Sequence, residues 1–346
     1  MARVSPPHHR PSAGSPTLDE VARVAGVSRA TASRAVNGGQ RVSERARSAV
    51  DLAVRELGYV PNPAARSLVT RRTDSVAVVV PEPDDRLFSD PYFAGTLRGV
   101  TRVLEERDLQ LVLLLARPGA DTARTLRYLT NRHVDGALVI SHHRDDRMAE
   151  HLADIDLPCV FGGRPWTGGD RVAYVDVDNI AGEREATEVL VARGCTRIGT
   201  IAGPSDMSAA IDRLAGWAQA MSRARLPMDA IEHGDFTEAS GEAACRALLE
   251  RHPDLDGLVV ASDLMAAGAM RVLEQLGRRV PDDIAVVGFD DLGVAERTTP
   301  PLTTVRQPVA EMAERATRLL LDRIDTAGTP LVREVVQPVL VRRASA

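Results

Sequence analysis

The chain has 346 residues, too long for one ordinary domain and enough for two or three. No run approaches the roughly 18 apolar residues of a membrane span, and the first residues lack the apolar stretch of a secretory signal. Three scattered cysteines, Cys159, Cys195 and Cys245, fit neither a disulfide framework nor a zinc-ligand spacing.

A reducing, cytoplasmic setting is therefore expected, with no membrane partner. Residues 1–16, rich in Pro, Ser, Ala and His, read as a disordered extension. His8-His9 is a pair without further ligands, so no metal is expected there. The net charge of −5 hides an asymmetry. Residues 1–73 carry twelve arginines and five acids, whereas the remainder carries 31 arginines and 43 acids. A basic head on an acidic body is the electrostatic footprint of a modular nucleic-acid binder.

Three short helical patterns fill residues 17–60. Thr17-Leu18-Asp19-Glu20 is a capping box, and Gly26 ends the helix it opens. Ser28 caps a second helix, Arg29 to Val36, which ends at Asn37-Gly38-Gly39. Ser43 caps a third, with Ala46, Val50, Ala53 and Leu57 along one face and Gly58 at its close. Two short helices joined by a tight glycine-containing turn form a helix-turn-helix, whose second helix enters the major groove. Its outer side carries Arg29, Ala30, Thr31, Ser33 and Arg34. Arginine bonds guanine edges bidentately, and hydroxyls hold phosphates. A plain three-helix bundle with a solvated arginine face is the competing reading.

Residues 61–73 read as a linker or as a short hinge helix: Pro61-Asn62-Pro63 starts it and Arg71-Arg72 ends it. Such a segment is too short to be helical alone and would fold only on DNA.

From residue 74 the pattern changes to β-branched runs alternating with amphipathic helices. The runs are Val76–Val80, Leu109–Leu115, Ala137–Ile140, Cys159–Phe161 and Tyr174–Val177 in one series. A second series has Ile198–Ala202, Ala230–His233, Gly257–Ala261 and Ile284–Phe289. Apolar strands separated by helices mean parallel sheets covered on both faces, here two doubly wound α/β lobes with ligands at the carboxyl ends of the strands. No dinucleotide fingerprint, phosphate-cradling loop or nucleophile elbow is present. An enzyme is therefore not expected, nor is a cofactor. His142-His143 lacks a ligand set around it, and a satisfied or surface role is expected.

Several ordered segments resemble the LacI/GalR family of transcriptional regulators. In the head they are Thr17-Leu18-Asp19-Glu20-Val21-Ala22, Ala25-Gly26-Val27-Ser28, Thr31-Ala32-Ser33-Arg34-Ala35-Val36-Asn37, Val42-Ser43, Leu57-Gly58-Tyr59 and Pro61-Asn62. In the core they are Val134-Asp135-Gly136, Asp176-Val177-Asp178-Asn179, Asp212 to Trp217, Ala261 to Ala266, Val287 to Asp291 and Pro301 to Pro308. Ala32 stands where the family usually has a larger Val. The resemblance implies an all-α headpiece followed by a two-lobed core like the periplasmic sugar-binding proteins.

It also implies roles. Arg29, Ala30 and Arg34 would select bases, while Thr31 and Ser33 would hold phosphates, with Thr17, Ser28 and Asn37 completing the DNA face. In the hinge, Leu68 would wedge into the minor groove, Ala65 would pack beside it, and Asn62 and Arg66 would lie near the backbone. Arg213 and Asp290 would bind the hydroxyls of a sugar effector, Phe236 and Phe93 would stack on its ring, and Ser262, Arg164 and Asp178 would contribute from neighbouring loops. A nucleoside or nucleobase acting as corepressor is the alternative ligand. The chain would cross between lobes near 177, 303 and 327. The first lobe would thus span about 74–176 plus 304–326, and the second about 177–303 plus 327–341. The absence of a leucine heptad at the end favours a homodimer on a pseudo-palindromic operator, most simply as a repressor.

Overall fold

The structure, a computed structural model, describes residues 16–37, 42–60, 72–117, 120–155 and 157–346. The expected hinge contacts Asn62, Ala65, Arg66 and Leu68 lie outside the described residues, as does most of the expected N-terminal extension. The chain divides into two units, Met1–Thr73 and Asp74–Ala346.

The first unit contains α1 (Leu18–Val24), α2 (Arg29–Val36) and α3 (Glu44–Leu57). Thr17, Ser28 and Ser43 cap their N-termini, and Gly58 closes α3 in the left-handed conformation. Val21, Ala22, Ala32, Ala35, Val50 and Ala53 form the buried centre. Short side chains at these crossings let the helices approach closely.

The second unit holds two six-stranded sheets. In the first lobe are β1 (Ser75–Val80), β2 (Gln110–Leu115), β3 (Gly136–Ile140), β4 (Cys159–Gly162), β5 (Ala173–Val177) and β11 (Arg333–Val336). They run in the order β11-β5-β4-β3-β1-β2, all parallel. Its helices are α4 (Asp84–Ser89), α5 (Pro91–Glu105), α6 (Ala120–Thr130), α7 (Met148–Ala153) and α12 (Val309–Asp325). Strand β1 shows why the run reads as continuous. Val76, Val78 and Val80 pack against Phe93, Val100, Met312 and Leu320 on one face, and Ala77 and Val79 pack against Leu129, Met148 and Phe161 on the other.

The second lobe contains β6 (Ile198–Ala202), β7 (Ile231–His233), β8 (Gly257–Val260), β9 (Ala285–Asp290), β10 (Thr303–Arg306) and β12 (Val339–Val341). Their order is β12-β10-β9-β8-β6-β7, with only β12 antiparallel. Helices α8 (Asn179–Arg193), α9 (Ser208–Ala224), α10 (Glu238–Arg251) and α11 (Asp263–Gln275) cover it.

Three passages connect the lobes, and two differ from expectation. The return to the first lobe comes after Arg306, not at 304, because Thr303–Arg306 pairs with Val287–Asp290 in the second sheet. The last crossing falls near 337, not 327. Arg333–Val336 pairs with Tyr174–Val177 in the first sheet, and only Val339–Val341 reaches the second. The apolar run 335–341 reads as one strand, but Pro338 has no N–H to give a ladder and divides it between two sheets.

Candidate nucleic-acid interface and effector cleft

In the first unit, burial of Ala32 and Ala35 turns the opposite side of α2 outward. Arg29, Ala30 and Arg34 are exposed there, and Thr31 and Ser33 are half-buried beside them. The Ser28 hydroxyl accepts from the Thr31 amide at 3.1 Å and pairs with the Thr31 hydroxyl at 2.9 Å, which fixes the start of the helix. Arg34 Nε donates to the Ala30 carbonyl at 3.1 Å, laying the guanidinium along the outer face. Asn37, at the C-cap, donates to the Ser33 hydroxyl at 3.4 Å. Thr17 and Glu20 form the reciprocal capping box, whose hydrogen bonds hold the Glu20 carboxyl below its ordinary range. Arg29 meets Asp19 at 3.3 Å in an exposed pair, an association that phosphate displaces at little cost.

In the second unit a solvent-open cleft lies between the lobes. Arg213, Asp290 and Phe236 all line it. Arg213 projects from α9 and is 5% exposed. Its Nε donates to Asn179 Oδ1 at 2.9 Å, and its Nη1 donates to the Ala261 carbonyl at 2.5 Å and to Asp290 Oδ1 at 3.3 Å. The guanidinium lies 3.7 Å from the Phe289 ring centroid. Four groups from three segments thus orient one donor.

Asp290 ends β9 with φ 118°, a conformation that side chains rarely adopt and that marks a constrained site. Asp263 maintains the turn. Its carboxylate accepts from the Asp291 amide at 2.7 Å and the Thr304 hydroxyl at 2.6 Å. Burial pushes the Asp290 and Asp263 carboxyls upward, and the negative charge of each neighbouring acid adds to the shift. Gln307 also donates to Asp290, at 2.6 Å. Burial likewise raises Asp90 and Asp176, and it pushes the Tyr92 hydroxyl to about 12.

The other expected effector residues sit elsewhere. Phe93 is fully buried in the first-lobe core, and its neighbour Tyr92 faces the cleft instead. Helix α5 begins at Pro91, so successive residues turn about 100° and only one can point inward. Ser262 caps α11, accepting from the Met265 amide at 3.2 Å. Asp178 caps α8 through the Ala181 amide at 2.9 Å, and its neighbours Val177 and Asn179 form the wall. Arg164 Nη2 donates to both carboxylate oxygens of Asp212, at 2.8 and 2.7 Å, beside the cleft. Sequence reasoning missed Asn179, Gln307, Asp90 and Asp176. Asn179 and Gln307 lie inside the family-like segments Asp176–Asn179 and Pro301–Pro308 without an assigned role, and Asp90 precedes the Pro-Tyr-Phe start of a helix. His142 is buried and lines the cleft, its ring edge-on to Phe161 at 5.4 Å.

Residues 17–62 match the model of bacterial regulatory proteins of the lacI family, and residues 187–346 match a periplasmic binding protein-like domain. The chain is 50% identical over 333 residues to the HTH-type transcriptional regulator CelR of Thermobifida fusca, covering 95% of this chain and 98% of that one. This chain belongs to the LacI family. The LacI-family ribose operon repressor of Escherichia coli K12 is 34% identical over 337 residues, covering 95% and 99%. A CelR–cellobiose complex superposes with a TM-score of 0.77 at 48% identity, covering 96% of this chain and all of that one. A lac repressor dimer bound to operator and an anti-inducer superposes at 0.84 with 27% identity, covering 95% and 98%. These LacI-family relatives are transcriptional regulators, not enzymes. Among the described residues no helix is long and apolar enough to cross a membrane, and no cluster of ligating side chains could hold a metal ion.

Proposed function

We propose that the protein is a transcriptional repressor that holds a pseudo-palindromic operator as a homodimer and is released by a sugar bound between its lobes. The observation carrying this reading is the state of Arg213. Its guanidinium is fixed by Asn179 and Ala261 beside the Asp290 carboxyl and the Phe236 ring. A directed donor, an acceptor for hydroxyls and an apolar face are what a pyranose requires. Similarity to CelR narrows the sugar to a β-linked glucose disaccharide such as cellobiose.

Support for the dimer comes from the edge of the first sheet. Strand β2 is aliphatic from Leu111 to Leu115 yet only half covered in a single chain, and Phe88 is 79% exposed. Two-fold protein symmetry calls for two-fold site symmetry. Coupling is reciprocal, so a sugar that weakens operator binding is itself bound more weakly by the operator complex.

The test is selection of operators from random DNA with purified protein, with Leu68 intact and as Leu68→Gly, each alone, with cellobiose, and with a set of nucleobases and nucleosides. One pseudo-palindrome that weakens in the variant and is released by cellobiose is the expected result. Enrichment only in the presence of a nucleobase or nucleoside would establish corepression instead. No palindrome under any of these conditions would overturn the regulator reading of the head.

A further inference from the structure

The mouth of the cleft holds side chains that the sugar site does not use. Glu82 follows β1 and His143 follows β3, both in the first lobe, whereas Asp206 follows β6 in the second. The His143 ring lies between the two carboxylates, with Nε2 3.1 Å from Glu82 Oε1 and Nδ1 2.8 Å from Asp206 Oδ2. Glu82 is 2% exposed, and the same oxygen accepts from Arg86 at 2.5 Å and from the Ser141 hydroxyl at 2.6 Å. Although burial opposes it, those donors hold the Glu82 carboxyl below its ordinary range.

A neutral imidazole has one N–H and one lone pair. Between two carboxylates it would set that lone pair against an acceptor oxygen. Only the imidazolium, with an N–H on each nitrogen, satisfies both sides. When the lobes part, Asp206 withdraws, and one N–H directed at Glu82 is enough. A neutral ring supplies that. Closure therefore takes up a proton.

We propose that Glu82, His143 and Asp206 form a proton-operated latch across the cleft: the lobes close on a His143 imidazolium and lose this tie when His143 is neutral. Other contacts between the lobes among the described residues include the Arg164–Asp212 pair, the Arg144 amide donating to the Asp206 carbonyl at 2.8 Å, the Ser208 hydroxyl on the Arg164 carbonyl, and Arg86 against Met207 Sδ at 3.9 Å and the Phe236 ring at 5.2 Å. Asp90 of the first lobe and Asp290 of the second also face the cleft, and burial raises both, Asp290 to about 7. The His143 ring is the group held between carboxylates of the two lobes.

The titratable and charged groups around the ring are Asp85 and Arg86 of α4, His142, Arg144, Asp145 and Arg147 of its own loop, His151 of α7, and Asp235 of the second lobe. Burial disfavours the charged ring, but Glu82 and Asp206 outweigh it and hold His143 protonated up to about 9. The latch therefore contributes fully below the ring's ordinary value, and its contribution is lost as pH rises through about 9. The amount of ligand needed to keep the lobes shut rises in parallel. The inference concerns lobe contact alone and stands whatever the effector is.

The test uses full-length, ligand-free protein spin-labelled at Arg127→Cys on α6 and Ala243→Cys on α10. Both positions are exposed, and the three native cysteines are buried. Distances between the labels are measured from about pH 7 to about pH 10, spanning the loss of the ring's proton. The closed-to-open ratio is expected to fall, by about tenfold for each pKa unit that His143 loses on opening. Asp206→Asn presents both an acceptor and a donor, so it serves either form of the ring and should flatten the profile while keeping the lobes closed. His143→Gln should also be flat. Thermal melts show that each variant is folded. A wild-type ratio constant across the range, or a wild-type slope persisting in Asp206→Asn, overturns the latch.

Discussion

Gly216 tests whether helix packing in the second lobe positions Arg213, the arginine proposed to bind the sugar. It sits where α9 crosses α8, and a Cβ there would lie 2.4 Å from the Ile180 carbonyl oxygen and 3.0 Å from both the Arg184 nitrogen and Glu183 Cβ. Relief requires the two helices to part by roughly 1 Å, the usual outcome of an inserted methyl in a close-packed interior. Helix propensity alone favours Gly216→Ala by about 1 kcal/mol. Overpacking costs about 1–3 kcal/mol, so packing should win by up to about 2 kcal/mol. The same movement carries Arg213 away from Asn179, and their 2.9 Å hydrogen bond opens. A bond stretched to about 4 Å no longer counts as one. Losing a charge-assisted contact of about 1.5–3 kcal/mol would weaken sugar binding roughly 10- to 150-fold. Calorimetric titration with cellobiose, run beside thermal unfolding, reads both effects. A raised melting temperature would show that propensity had won. A lowered one with unchanged sugar affinity would refute the link from α8–α9 packing to Arg213.

Three further outcomes are expected. Ser28→Ala removes the cap of α2 and should cost about 1 kcal/mol of headpiece stability, with weaker operator binding in a gel-shift titration. Phe93→Ala and Phe236→Ala should separate core from site. Chemical denaturation should show a loss of about 3–5 kcal/mol for the fully buried Phe93, while titration calorimetry should place the larger loss of sugar affinity at Phe236. Glu183 is fully buried with one carboxylate oxygen lacking a hydrogen-bond partner, and burial pushes its carboxyl to about 7. Because this folded-state value is raised, the protein should lose stability as pH climbs from the ordinary glutamate range to about 7 and lose no more above it. Glu183→Met should abolish that slope in urea melts collected across the same range.

The fold was largely legible because its signals are local. Caps at Thr17, Ser28 and Ser43 mark helices one residue before they begin, and aliphatic runs bounded by amphipathic helices announce parallel sheets. Those same runs carry no label saying which sheet they join. For that reason residues 304–306 and Arg333–Val336 were expected on the other side of the crossings. Arg213, Asp290 and Phe236 all line the cleft, and each was singled out because its chemistry stood inside a family-like segment. Phe93 shows the limit. At the start of a helix, one residue's shift in phase exchanges cleft for core, and the choice depends on packing against β1. Asn179 and Gln307 escaped notice because an amide acquires meaning only from the charged groups it meets in space. The His143 cluster was similarly hidden, since Glu82, His143 and Asp206 are 61 and 63 residues apart.

The divided tail of the chain bears on the order in which the molecule is made. Strand β11 forms the outer edge of the first sheet, and α12 covers one of its faces, yet both are encoded after almost all of the second lobe. On a ribosome the first lobe's opening strands emerge early and wait, one flank bare, while some 130 residues of its neighbour are synthesised, far longer than the usual exposure of a domain that folds as it emerges. The second lobe can close most of its sheet first. Maturation then runs against the direction of translation, and a stop codon near residue 330 would cripple both lobes at once, since each draws an edge strand from the last sixteen residues.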